Sequence, residues 1–232
     1  MWKKSSSAYK DLKLAQAIDG SDERLANTLD ISLDGLTLAG DHYGPGRFVM
    51  ALRDLDAEAF ARFQQAMEEL GKQEIPEDQL SLLMSAKLVE LAPDFLRAGP
   101  KLEIPRLAFK TPNGEISGTL TFNLSPQARL SLEDPVRLLR GARGNASLRI
   151  PRALLLKIAL VHARETLSPL LEELAATSPE EKENILNQRA ELGLEGLVQQ
   201  GIIMPDGEDY RVSAAFWKGE LEVNENVVWR VE

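Results

Sequence analysis

The chain contains no cysteine, which removes disulfides, thiolate zinc sites, iron–sulfur clusters and cysteine nucleophiles from consideration. It has two histidines, His42 and His162, too few for a multi-histidine metal centre. Long apolar runs are missing as well. The longest lies in ALLLKIALVHA, Ala153 to Ala163, interrupted by Lys157 and far short of the ~20 residues that span a bilayer. The opening MWKKSSSAYKDLKL has basic residues with no apolar stretch behind them, so it reads as neither a signal peptide nor a membrane anchor. No G-x-S-x-G elbow, H-E-x-x-H, Walker A loop or G-x-G-x-x-G fingerprint occurs. A net charge of -9 repels a phosphate backbone and disfavours general nucleic-acid binding.

What is present is the composition of a soluble globular chain, 44% hydrophobic and 27% charged, with enough apolar side chains for a core. Two segments alternate in the same interrupted way. ISLDGLTL places apolar residues at Ile31, Leu33, Leu36 and Leu38, and LEIPRLAF at Leu102, Ile104, Leu107 and Phe109. Alternation predicts a strand with one buried face, and the extra residue in the middle resets the phase, as a bulge does. Pro105 at the second break agrees, since a proline is tolerated there.

Each copy leads through a turn into a second alternating run. DHYGPG precedes RFVMAL, with Phe48, Met50 and Leu52 on one face and Val49 and Ala51 on the other. TPNG precedes EISGTLTFNL, with Ile116, Gly118, Leu120, Phe122 and Leu124 on one face. Asn113-Gly114 predicts the hairpin turn, because both residues accept positive φ. DYRVSAAF and ELEV flank Trp217-Lys218-Gly219 as a third hairpin, entered through MPDGED. DLKLA is one further strand, and the residues through Lys4 are expected to fray.

Helices separate the hairpins. Asp56 caps one whose apolar face is Phe60, Phe63, Met67 and Leu70. Another starts near PEDQ, carries Leu80, Leu83, Met84, Leu88 and Leu91, and is expected to kink or end at Pro93. Pro151 to Ala176 reads as helix broken by Pro169. Ser178, Pro179 and Glu181 form a capping box on a helix that runs to about Gly201. The whole predicts a single α+β domain over 1–232: an antiparallel sheet of repeated kinked β-hairpins with helices packed on one face. Within it, 1–28 is an N-terminal segment, 29–98 and 101–176 are two hairpin–helix repeats, and 178–232 is a helix plus terminal hairpin.

Few residues suggest a site. The glycines of DHYGPGR lead into a strand, whereas a phosphate-cradling loop leads into a helix, so a structural turn is favoured over a ligand loop. Clustered acids at Asp54, Asp56 and Glu58, and at Glu180, Glu181 and Glu183, fall at helix starts, where they complement the helix dipole. The one asymmetry of charge runs from Pro135 to Arg164, which has no acid but contains Arg137, Arg140, Arg143, Arg149, Arg152, Lys157 and Arg164. These either pair with acids elsewhere or meet an anionic partner, such as lipid headgroups or an acidic protein surface.

The segments LDGLTLAGDHYGPGRFVMALRDLDAEAF, LEIPRLAFKTPNGEISGTLTF, ASLRIPRALL and GEDYRVSAAFWKGELEVN, spread from about Leu29 to Asn224, resemble the YdgA-like family of Gram-negative envelope proteins of unknown function. The likeness is to the C-terminal part of a family member, and the VNENVV ending departs from the family's usual Asn-Gly close. The resemblance implies a periplasmic location, with anchoring to the inner membrane through a segment outside this sequence, and no assigned reaction. With the absent motifs it leads to the expectation of a non-catalytic domain without cofactor, binding a protein partner or lipid in envelope organisation. Carriage of a hydrophobic ligand along an apolar sheet face is the alternative, and a carboxylate-dependent hydrolase a more distant one.

Overall fold

In the computed structural model, which describes residues 8–21, 23–38, 40–72, 76–125, 134–173 and 178–231, the alternating segments join one antiparallel sheet. Its path runs through β1 (Ala8–Gly20), β2 (Arg24–Leu38), β4 (Gly46–Asp56), β5 (Lys101–Thr111), β6 (Gly114–Leu124), β7 (Ala142–Pro151), β9 (Asp209–Trp217), β10 (Glu220–Val223) and β11 (Asn226–Arg230). Two short strands lie off that path: β3 (Asp41–Tyr43) pairs with β2, and β8 (Met204–Asp206) pairs with β9. Neighbours in the sheet are near neighbours in the chain, so the fold is a meander into which helices are inserted.

The register shifts between Ile104 and Leu107, so that Pro105 and Arg106 fall in the irregular stretch, where a missing N–H does least damage. In β2 the corresponding break at Asp34-Gly35 is where its partner changes from β4 to β3. One turn differs from the sequence reading. Thr111 pairs with Gly114, so the hairpin loop is Pro112-Asn113, and Gly114 at φ 122 opens β6. The Thr111 hydroxyl accepts from the Asn113 N–H at 3.2 Å and stabilises this arrangement.

Five helices are described. Asp56 caps α1 (Ala57–Gly71), accepting from the Ala59 N–H at 2.8 Å. The next, α2 (Glu77–Ala98), continues through Pro93, which neither ends it nor sets its boundary. Arg24 holds the pair to the sheet, donating to the carbonyl oxygens of Ala98 and Asp54. A short α3 (Pro135–Gly141), capped by Asp134, precedes β7. The helix expected to break at Pro169 is continuous, α4 (Arg152–Glu173); its expected last residues, 174–176, lie outside the described residues, as do the expected frayed residues through Lys4. Ser178 and Glu181 form the reciprocal capping box of α5 (Pro179–Gln199), and Gly201 at φ 70 lies just past its cap residue Gln200.

Two clusters of buried apolar residues join helices to the sheet. Leu194, Ile203 and Tyr210 form a cluster with Leu155, Leu156, Ala159, Leu197 and Val212, seating α4 and α5 on β9. Leu124 and Ala142 pack with Leu138 and Phe216 under α3. Asn224, in the turn between β10 and β11, locks the C-terminal strands to the exit of α5. Its side chain accepts from the Ser213 N–H and hydroxyl and donates to the carbonyls of Gly201 and Ile202.

Candidate functional site: the apolar sheet face

The register assigns each residue to a face. Leu12, Leu14, Gln16 and Ile18 of β1 stand opposite Leu33, Ile31, Leu29 and Asn27 of β2. Ile31 and Leu29 continue to Phe48 and Met50 of β4, Phe48 to Leu107 of β5, and Leu107 to Gly118 of β6. Beyond β6 the same face carries Leu148 and Ile150 of β7, then Val212 and Tyr210 of β9. One apolar surface therefore crosses the sheet.

Only part of this surface is sealed. The α4–α5 pair covers it at β9, where Tyr210 is buried. On strands β1 to β6 the buried apolar residues among those described are Ala51, Leu55 and Leu124, and Ala51 belongs to the opposite face; Ala59, Leu91 and Ala98 are buried in α1 and α2, which contact β4. Leu29, Ile31, Leu33, Phe48, Met50, Leu107 and Phe109 are half-buried, while Leu14 at the edge is 68% exposed and Leu12 60%. The chain presents 16101 Å² to solvent. A compact monomer of this mass presents about 10,400 Å² by the usual scaling. The chain thus exposes more surface than a compact monomer of its mass, with exposed apolar residues on the sheet edge, at Leu12, Leu14 and Ile18, and on the helices, at Leu82, Val89 and Ile158.

The opposite face is polar. Ser117, Thr119, Thr121 and Asn123 of β6 stand opposite Arg149, Ser147, Asn145 and Arg143 of β7, and the Thr119 and Ser147 hydroxyls share a hydrogen bond of 2.8 Å. Asp30 and Arg47 form a two-point ion pair there. The hydrogen bond from Arg47 holds the Asp30 carboxyl below the usual carboxylate range, with the Arg47 and Arg106 charges helping and its partial loss of solvent opposing.

The basic residues do not form one patch. Arg137 bonds Asp134, Arg149 bonds Asp209 and reaches Asp206, and Arg164 bonds Glu183, so three of them pair within the fold. Arg143 lies over the Trp217 ring at 4.1 Å and Lys218 approaches the same ring at 5.7 Å. The stem of Arg140 lies over Gly219, where a Cβ would come to 3.2 Å of its Cγ. Arg143 and Lys218 thus meet at an exposed tryptophan, with the stem of Arg140 at Gly219 two residues along, a grouping hidden in the sequence because it requires β7 and β9 to be neighbours. Arg152 and Lys157 are exposed on α4, which follows β7, whose eight steps from Arg143 to Pro151 span about 26 Å at 3.3 Å per strand residue.

The DHYGPGR loop is occupied by its own fold. Gly44 has φ 94, its N–H donates to the Lys110 carbonyl, and the Lys110 N–H donates to the Pro45 carbonyl. Gly46 lies beneath the Phe109 ring, where a Cβ would come within 2.5 Å of Cδ2, and Tyr43 stacks on that ring at 6.4 Å. His42 lies over Gly35, 2.9 Å from where a Cβ would be. These contacts make the loop a structural turn. Of the clustered acids, Asp56 and Glu181 cap helices, Asp54 pairs with Lys101 and Glu183 with Arg164. The hydrogen bonds from Ser178, backbone first, hold Glu181 below the usual carboxylate range. No cluster of His, Asp and Glu able to hold a metal occurs among the described residues, and no helix among them is long and apolar enough to cross a membrane.

The family model described as "Bacterial protein of unknown function (DUF945)" matches residues 2–228, and the chain belongs to that family. No curated protein and no solved structure matches the chain.

Proposed function

We propose that this member of a bacterial family of unknown function is a non-catalytic protein of the cell envelope that binds the hydrocarbon part of a lipid along the open face of its sheet. The observation that carries this reading is the apolar surface from Leu12 and Leu14 through Ile31, Phe48 and Leu107, continuous across β1 to β5 and left unsealed. Contiguous apolar surface of this extent is unfavourable in water and is satisfied by a partner. A sheet face suits an acyl chain because its contacts are non-directional and need shape more than hydrogen bonds. The corner of Arg140, Arg143, Lys218 and Trp217 supports an anionic headgroup or membrane surface as a neighbour, since basic residues and interfacial tryptophans both favour that zone. The sequence resemblance to Gram-negative envelope proteins supports a periplasmic location with an inner-membrane anchor outside this sequence. The employment of Asp56 and Glu181 as helix caps, and of Asp54 and Glu183 as ion-pair partners, supports a binding role over a carboxylate hydrolase.

The test is mass spectrometry of organic extracts from protein purified out of a bacterial envelope without delipidation. Acyl lipid in amounts comparable to the protein is expected, and Leu14→Glu together with Ile31→Glu should lower it while the far-ultraviolet circular dichroism stays unchanged. A clean extract from the unaltered protein would remove the proposal.

A further inference from the structure

A long edge strand presents a row of unpaired N–H and C=O groups, and natural sheets defend such edges with shortness, proline, inward-pointing charge or bulges. The two ends of this sheet differ in that respect. The last strand, β11, has 5 residues, and its pairing with β10 slips between Leu221 and Glu222. The first, β1, has 13 residues and no proline, and its register with β2 is even throughout. Among its inward positions Leu12, Leu14, Gln16 and Ile18 carry no charge, and the one inward charge, Lys10, lies beyond the interruption at Asp11. Among the described residues nothing pairs with its outer edge.

The sequence of β1 also complements itself. Aligned antiparallel with a copy of itself about a two-fold axis at Gln16, it sets Leu14 opposite Ile18 on the apolar face and Lys13 opposite Asp19 on the polar face, each pair occurring twice. Moving the axis to Ala15 sets Asp11 against Asp19. Moving it to Leu14 sets Lys10 against Ile18 and Leu12 against Gln16. Shifting by a single residue places the apolar face of one copy beside the polar face of the other. Asp11, at φ 48, interrupts the extended backbone just before the stretch that the Gln16 register uses. Cross-strand opposite charges and apolar pairs favour a register, and like charges oppose it.

We propose that β1 is a self-association edge: two copies pair β1 with β1 about a two-fold axis at Gln16, joining their sheets and their open apolar faces into one. The interface is isologous and closes at two copies, because each protomer spends its one undefended edge in making it. Lipid binding is not required for this pairing.

The absence of cysteine allows a direct test on the full chain. Gln16→Cys places two thiols opposite each other at the axis, within reach of oxidation or a short bismaleimide. Leu12→Cys places them about 26 Å apart, eight strand residues distant, and serves as the control. A covalent dimer from Gln16→Cys and none from Leu12→Cys is expected. In sedimentation equilibrium the unaltered chain should dimerise. Asp19→Lys should weaken the dimer roughly tenfold or more by turning two attractive pairs repulsive, and Lys13→Asp with Asp19→Lys should restore it. Lys13 and Asp19 are exposed and face Ser32 and Ala26 across β2, so the exchanges leave the protomer intact. A chain that stays monomeric at about 100 μM, well above the Kd of a stable interface, would overturn the proposal. So would equal crosslinking from both thiols, or a charge exchange that fails to rescue.

Discussion

Replacing Asn224 with alanine tests how the C-terminal strands are tied to the helical layer. Asn224 is 8% exposed and takes φ 48, a conformation that asparagine tolerates better than alanine. Its side-chain oxygen accepts from the Ser213 N–H at 2.8 Å and from the Ser213 hydroxyl at 3.1 Å, and its amide donates to the Gly201 and Ile202 carbonyls, both at 2.9 Å. Truncation removes four bonds of about 1 kcal/mol net each and strands a part-buried N–H, while water entering the space returns part of the loss. The left-handed backbone adds about 1 kcal/mol for alanine. The expected destabilisation is about 3–5 kcal/mol, read as a fall in the urea midpoint at unchanged slope. Asn224→Asp sharpens the reasoning. It keeps the acceptor but sets a carboxylate oxygen against two carbonyls, which favours the protonated form and raises the folded pKa of the new group. Stability should therefore be low at neutral pH and recover as pH falls through that raised value. A loss under about 1 kcal/mol for Asn224→Ala, or an aspartate variant insensitive to pH, would refute this account of the lock.

Three further outcomes follow from other parts of the fold. Gly46→Ala drives a Cβ into the Phe109 ring and should cost about 1–3 kcal/mol in urea unfolding, whereas Gly193→Ala, in α5 with nothing within 4 Å of the new atom, should stabilise by about 0.5–1 kcal/mol. Glu181 has a depressed folded pKa, so its share of the α5 cap is present above the unfolded carboxylate value and lost as pH falls through the lowered one; the stability difference between the natural chain and Ser178→Ala, followed by circular dichroism, should shrink in acid. Charge reversal at Arg137, Arg140 and Arg143 should weaken sedimentation with anionic liposomes, most of it arising from Arg140 and Arg143 beside Trp217, because Arg137 already has Asp134.

The sequence was readable wherever large apolar residues alternated. Ile31 to Leu38 and Leu102 to Phe109 both lie in strands, and the second has its register shift at Pro105-Arg106. The Ser178 capping box was equally plain, since its chemistry is local. β7 was missed because its inward positions are Ala142, Gly144, Ala146, Leu148 and Ile150, of which three are too small to mark a hydrophobic face. β11 was missed because Asn226–Arg230 is short and exposed. Pro169 does not break its helix and Pro93 does not end its own, since each removes one N–H from a 22-residue helix and the other backbone bonds carry through. The candidate site divides in the same way. Which residues share a face follows from alternation, but that the face stays uncovered depends on where the helices dock. The grouping of Arg140, Arg143 and Lys218 depends on a strand pairing that no local pattern announces.

The most direct measurement is photolabelling of the purified protein with a fatty acid carrying a diazirine near its chain end, with the labelled peptides mapped by mass spectrometry. Label is predicted on the peptides that contain Leu29 to Leu33, Phe48 to Met50 and Leu107 to Phe109, and it should be displaced by unlabelled long-chain lipid. Label confined to the groove between α4 and α5, or spread without preference over both faces of the sheet, would contradict the account.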